Sequence, residues 1–150
     1  LQTEIKQKKD FHLLDLDWFN LLVQDVCEPL FLDEKINFII HAASQASPKF
    51  YGVDPVGTLL ANTLGTHNVL ECARKNKDSI EGVLFFSSAE IYGDVSTCPD
   101  HVSEAFMGPI DCLAVRSCYA ESKRIGETMC TSWFRQYDIP VKVIRIFHTY

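Results

Sequence analysis

Apolar positions along this chain follow two patterns: short dense runs, and longer stretches with helical spacing. The runs centre on Leu21 to Val23, Phe38 to Ile40, Val83 to Phe86 and Val141 to Phe147. Each is short and rich in β-branched or aromatic residues. They predict strands over 20–24, 37–41, 82–87 and 141–147. Consecutive apolar residues, where a half-exposed strand would alternate, mark strands covered on both sheet faces.

Asp54-Pro55 places an N-cap before a proline at the first helical position, which predicts a helix from there to about Lys75. On it Leu59, Thr63, Thr66, Leu70 and Ala73 share one face, with Leu60, Leu64 and His67 beside them. A second helix is predicted over 117–137, ended by Ile139-Pro140, and a short one begins at Pro29. Residues 42–51 read as a loop with small residues. Residues 94–117, with Pro99, Gly108 and Pro109, read as irregular, and so long a loop in a compact domain is usually functional.

Strands alternating with helices specify a parallel sheet with crossover helices. The expected fold class is α/β: an incomplete doubly wound parallel sheet, lacking the first strands and the glycine-rich loop, since no GxGxxG or relative of it occurs. Residues 1–19 are expected as a polar N-terminal segment and 20–150 as a partial nucleotide-binding domain, with a substrate domain absent.

Composition narrows the partners. Hydrophobic residues at 47% and charged residues at 23% are those of a soluble globular domain. No apolar run approaches a bilayer span, so no membrane partner is expected. A net charge of −6 gives no basic footprint for nucleic acid. It still allows a phosphate-bearing small ligand, because local backbone dipoles bind phosphate. The six cysteines form no CxxC pair and read as scattered reduced thiols of a cytoplasmic protein. The five histidines lie in no metal-ligand spacing, so no metal is expected.

The chemistry centres on Tyr119 and Lys123, spaced i, i+4 on one face of the second long helix. An ammonium near a phenol favours the phenolate, and a tyrosine so tuned acts as a general base on a hydroxyl. By itself such a pair is more often a surface pair. Ser87-Ser88 changes that reading, because it closes a buried strand at the carboxyl end, where parallel sheets bind ligands.

A strand-end serine followed about thirty residues later by YxxxK resembles the Ser-Tyr-Lys site of the short-chain dehydrogenase/reductase family. Further blocks resemble its extended branch, the NAD-dependent epimerases and dehydratases. Gln24-Asp25-Val26 resembles the Asp-Val step, and His41-Ala42-Ala43 resembles the strand end along the cofactor. Asn62 with Gly65-Thr66 resembles NxxGTxN, Ser87 to Gly93 resembles SSxxVYG, and Arg145 to Tyr150 resembles RxxNxYGP. The nearest likeness is to the UDP-glucuronate decarboxylases: His41 to Pro48 resembles HLASPASP, and Arg116 to Cys130 resembles RACYxxxKRxxETMC.

The resemblance implies NAD as cofactor and a nucleotide diphosphate sugar as substrate. Ser88, Glu90, Tyr119 and Lys123 would be catalytic. Asp25, Val26, His41, Ala42, Ala43, Asn62 and Ser87, with Tyr119 and Lys123, would bind the cofactor. Ser88, Glu90, Arg116 and His148 would bind the substrate. On residue type alone His41 is a buried strand-end histidine, Asn62 a bridge between helix and loop, and Asp25 and Glu90 loop carboxylates. Ala89 stands where 4,6-dehydratases carry an Asp, and His148 where most relatives carry an Asn. The expected reaction is decarboxylation through a 4-keto sugar. The alternatives are 4-epimerisation, 4,6-dehydration and a non-catalytic dinucleotide sensor or scaffold on the same fold. The resemblance also implies a homodimer through helices 55–75 and 117–137. Without a glycine loop, the chain alone is expected to have negligible NAD affinity.

Overall fold

The computed structural model describes residues 18–32, 35–96, 98 and 101–148. Its strands are β1 (Phe38–His41), β2 (Gly82–Ser88) and β3 (Val141–Ile146), joined by helices α1 (Pro48–Tyr51), α2 (Pro55–Lys75) and α3 (Ser117–Tyr137). A 3₁₀ turn spans Ala89–Tyr92. The strands form one parallel sheet in the order β1-β2-β3, with Ile39 opposite Val83 and Val83 opposite Val141. This is the incomplete α/β sheet expected from the alternation of runs and helical stretches.

Both long helices start and stop where local chemistry dictates. The Asp54 carboxylate accepts from Gly57 N at 2.9 Å, and Pro55 opens α2. The α2 end is closed by Asn76, whose N–H reaches Cys72 and Ala73 carbonyls. Helix α3 ends in Asp138, a left-handed residue at φ 61°.

The core lies between these helices and β2. Ala73, Ile80, Val83 and Ile139 form one cluster, and Leu70, Phe85 and Cys130 form another. Helix α3 reaches the sheet because Gly126 has no side chain: a Cβ there would lie 2.5 Å from the buried Phe85 ring. The opposite sheet face is apolar and uncovered among the described residues, with Phe38 66% and Ile40 68% exposed.

Several expectations fail. Residues 20–24 are not a strand: Leu21, Leu22 and Val23 are 48%, 58% and 42% exposed. A strand needs a neighbour for its N–H and C=O groups, and none of the described residues extends the sheet beyond β1. The chain instead turns at Asp25, whose carbonyl accepts from Glu28 N at 3.0 Å. No helix begins at Pro29 among the described residues, and the loop 42–51 contains the single turn α1. Met129 of α3 packs against the Leu70–Phe85–Cys130 cluster. Phe134, in the last turn of α3, is half exposed. Most of the N-terminal segment 1–19 lies outside the described residues.

Gly126→Val is expected to lower unfolding free energy by about 2 kcal/mol through overpacking against Phe85. Gly52, where a Cβ would meet only Val115 at 3.8 Å, should accept alanine without loss. Urea midpoints of the two variants check the contrast.

Candidate active site

Strand β2 ends at Ser88, and the chain turns at once through Ala89–Tyr92. The Ser88 hydroxyl caps this turn, accepting from Glu90 N at 3.2 Å. The turn is followed by Gly93 at φ 66°, where a Cβ would lie 2.5 Å from Pro109 O. Arg124 fastens it to α3 by donating to Ile91 O and Gly108 O, each at 2.7 Å.

The first turns of α3 bring Tyr119 and Lys123 beside this strand end, both buried. Lys123 Nζ donates to Phe86 O at 2.8 Å and lies 5.8 Å from the centre of the Tyr119 ring. Arg116 caps α3 without a side-chain capping bond, and its guanidinium pairs with Glu90. A cavity of about 310 Å³ opens here. Its walls include Ala42, Ser87, Ser88, Glu90, Arg116, Tyr119, Lys123 and His148, so these expected site residues are gathered in one place.

Asp25, Val26 and Ala43 line a neighbouring cavity of about 740 Å³. The Asp25 carboxylate accepts from Cys27 N at 2.9 Å, and Val26 sits so close to Gly65 that a Cβ there would meet it at 2.8 Å.

His41 and Asn62, expected beside the cofactor, bond their side chains to protein groups. The His41 ring faces α2, with Nε2 3.0 Å from Thr66 Oγ1. Thr66 gives its own proton to Asn62 O at 2.6 Å, so His41 Nε2 carries the hydrogen of that bond. Asn62 is equally buried: it accepts from Ser44 Oγ at 2.7 Å and donates to Ser122 Oγ at 3.0 Å. Ser122 donates in turn to Tyr119 O at 2.8 Å. Side chains of strand residues alternate between faces, and position 41 falls on the helix-covered face. Asn62 therefore ties the 42–47 loop to the Tyr119 turn and lines neither cavity.

The NAD dependent epimerase/dehydratase family matches this chain over residues 1–150. The chain belongs to this family. It is 40% identical over 132 residues to UDP-glucuronic acid decarboxylase 6 of Arabidopsis thaliana, covering 88% of this chain and 36% of that protein. Among solved structures it resembles RMD of Pseudomonas aeruginosa, complexed with NADPH, at 28% identity and a TM-score of 0.70, over 83% of this chain and 41% of that one. UDP-glucose 4-epimerase of Thermus thermophilus, in complex with NAD, matches at 29% identity and a TM-score of 0.61, over 73% and 33%. The chain spans about a third of the length of the curated relatives it matches.

Some residues at and around this candidate site escape sequence reasoning. Glu127 accepts from Ser87 Oγ at 2.5 Å and from Arg145 Nε at 3.0 Å and Nη2 at 2.8 Å. Arg145 Nη1 also donates to Tyr92 OH at 3.2 Å and Glu104 O at 2.6 Å. The network joins β2, α3, β3 and the long loop. Both charges sit in family blocks, but only the fold shows that they pair. Tyr51 is a further wall of the cavity, and no sequence signal marks it.

Burial sets the charges. Desolvation, with the Lys123 charge adding to it, holds the His41 imidazole down to about 4. Desolvation alone lowers Lys123 to about 8. The unfolded chain protonates His41 near pH 6.5 but the folded chain only near 4, so stability falls as pH drops through that window. The unfolded chain keeps the Lys123 proton to 10.5 whereas the folded chain releases it near 8, so stability rises as pH climbs through that window. Urea midpoints should lose the acid slope in His41→Leu and the alkaline slope in Lys123→Met. A Lys123→Met variant at constant offset from wild type across the alkaline window would refute the buried charge.

Proposed function

We propose that the full-length protein decarboxylates UDP-glucuronate, with NAD as a recycled cofactor. The observation that carries the reading is the gathering of Ser88, Tyr119 and Lys123 at one strand end, with Glu90 and Arg116 on the same cavity. The relatives named as decarboxylases support it. The Lys123 ammonium fits a cofactor there: it has three donors, and Phe86 O is its one hydrogen-bond partner among the described residues. Its other donors can take the hydroxyls of a ribose. Asp25, Val26 and Ala43 would hold the adenosine half.

The chemistry supplied by a bound NAD would be reversible hydride transfer. The remaining work falls to the chain. Tyr119 takes the proton of the sugar 4-hydroxyl while Ser88 donates to the same oxygen. Oxidation at carbon 4 makes the 5-carboxylate β to a ketone, so carbon dioxide leaves as its electrons move into the enolate. Arg116 holds the carboxylate and Glu90 serves the carbon-5 end, with His148 on the substrate side. Ala89 offers no carboxyl for dehydration.

Six free cysteines fit a reducing compartment, the cytoplasm. Among the described residues no helix is long and apolar enough to cross a membrane. The protein is a homodimer through α2 and α3 in this reading. Leu59, Leu60 and Leu64 remain 40–41% exposed and Ile125 44%, an apolar surface of the kind that marks interfaces. A two-fold pairing would bury it on both copies.

With UDP-glucuronate and NAD, the full-length protein should release carbon dioxide and a UDP-pentose. Tyr119→Phe should lower turnover by roughly 10²–10⁴ with nucleotide-sugar binding retained. Unchanged turnover in that variant removes Tyr119 as the base, and absence of both products rejects decarboxylation. Light scattering should give a dimer at micromolar concentration that Ile125→Asp dissociates; a wild-type monomer rejects the pairing.

A further inference from the structure

We infer that Tyr51 is a positioning residue for the proposed base Tyr119, an inference that rests on the function proposed above. The Tyr51 side chain is 2% exposed, and its ring stacks on that of Tyr119 with centres 5.1 Å apart and planes 15° apart. That separation lies in the favoured range for aromatic pairs. The Tyr51 hydroxyl donates to Ala46 O at 2.9 Å, tying the ring to the loop that walls the cavity. A cation attends each ring of the stack: the Arg116 guanidinium lies 5.8 Å from the Tyr51 ring centre, and Lys123 Nζ lies 5.8 Å from that of Tyr119. Cations favour the negative faces of aromatic rings, so both hold the stack in place.

Tyr51 is also a partition. It lines the site cavity and a second one of about 510 Å³, bounded by Pro55, Leu59, Cys112 and Cys118. Without its ring the two cavities would join behind Tyr119. The base would then have room to swing about its side-chain torsions, and water could reach it from behind. Burial raises the Tyr51 phenol well above the ordinary tyrosine range, which keeps it a neutral donor to Ala46 and not a rival base. A proton-transfer group must be held to within a fraction of an ångström, and loss of that alignment lowers turnover without weakening substrate binding.

The test compares Tyr51→Leu, which removes the stack, with Tyr51→Phe, which keeps it and loses only the Ala46 tether. In the full-length protein, Tyr51→Leu should lower kcat by about 10–100-fold with KM for the nucleotide sugar within about two-fold, and Tyr51→Phe should restore kcat to within about three-fold of wild type. Ring-13C tyrosine labelling gives a readout without turnover: the Tyr119 resonance, identified by its loss in Tyr119→Phe, should move in Tyr51→Leu and hold in Tyr51→Phe. A wild-type kcat in Tyr51→Leu, while Tyr119→Phe is inactive, overturns the inference and leaves the proposed function standing. Activity retained in Tyr119→Phe instead removes the base that Tyr51 would serve. Should Tyr51→Leu not fold, a nuclear Overhauser contact between the two rings in wild type supports the stack, and its absence overturns it.

Discussion

Lys123 carries a positive charge into the seam between α3 and the end of β2, where it is 3% exposed and donates to Phe86 O at 2.8 Å. An ammonium loses much of its hydration in such a place, and the loss shows in a proton held less tightly than by an exposed lysine. The bond to Phe86 fixes the rotation of α3 against the sheet, because the lysine cannot reach that carbonyl from any other face of the helix. Once α3 is so turned, Tyr119 one helical turn earlier must lie at the carboxyl edge of β2, beside Ser88. Gly126 completes the arrangement by letting the helix approach Phe85.

Around this contact the polar groups form satisfied networks, and among the described residues no buried side-chain nitrogen or oxygen lacks a partner. Asn62 and Ser122 link α2 to α3, and Glu127 and Arg145 link α3 to β3. A half-satisfied network of this kind would cost stability, whereas a complete one specifies a single geometry. Arg124 extends the same logic to the 89–93 turn, so the turn bearing Glu90 moves with α3 and the site is held as a unit.

Much was legible in the sequence. The positions of α2, α3, β2 and β3 followed from capping residues and apolar runs, since these are local signals with local causes. The pairing of Tyr119 with Lys123, and their place near Ser88, followed from helical spacing and from where parallel sheets bind ligands. Ordered blocks marked the family.

Long-range partners were decided only by the tertiary structure. Residues 20–24 carry a strand-like run, yet a strand exists only where a neighbour takes its backbone hydrogen bonds, and no run of letters records that neighbour. His41 belongs to a block associated with the cofactor, but the alternation of side chains along β1 turns its ring to Thr66. Tyr51 and Tyr119 are 68 residues apart, and Ser87, Glu127 and Arg145 come from three elements. What the sequence determines by itself is what neighbouring residues decide: element, cap and motif. Which side chains then share a cavity, and which are spent on holding it together, depends on how elements distant in the chain pack, because the burial and hydrogen-bond partners that assign each role exist only after packing.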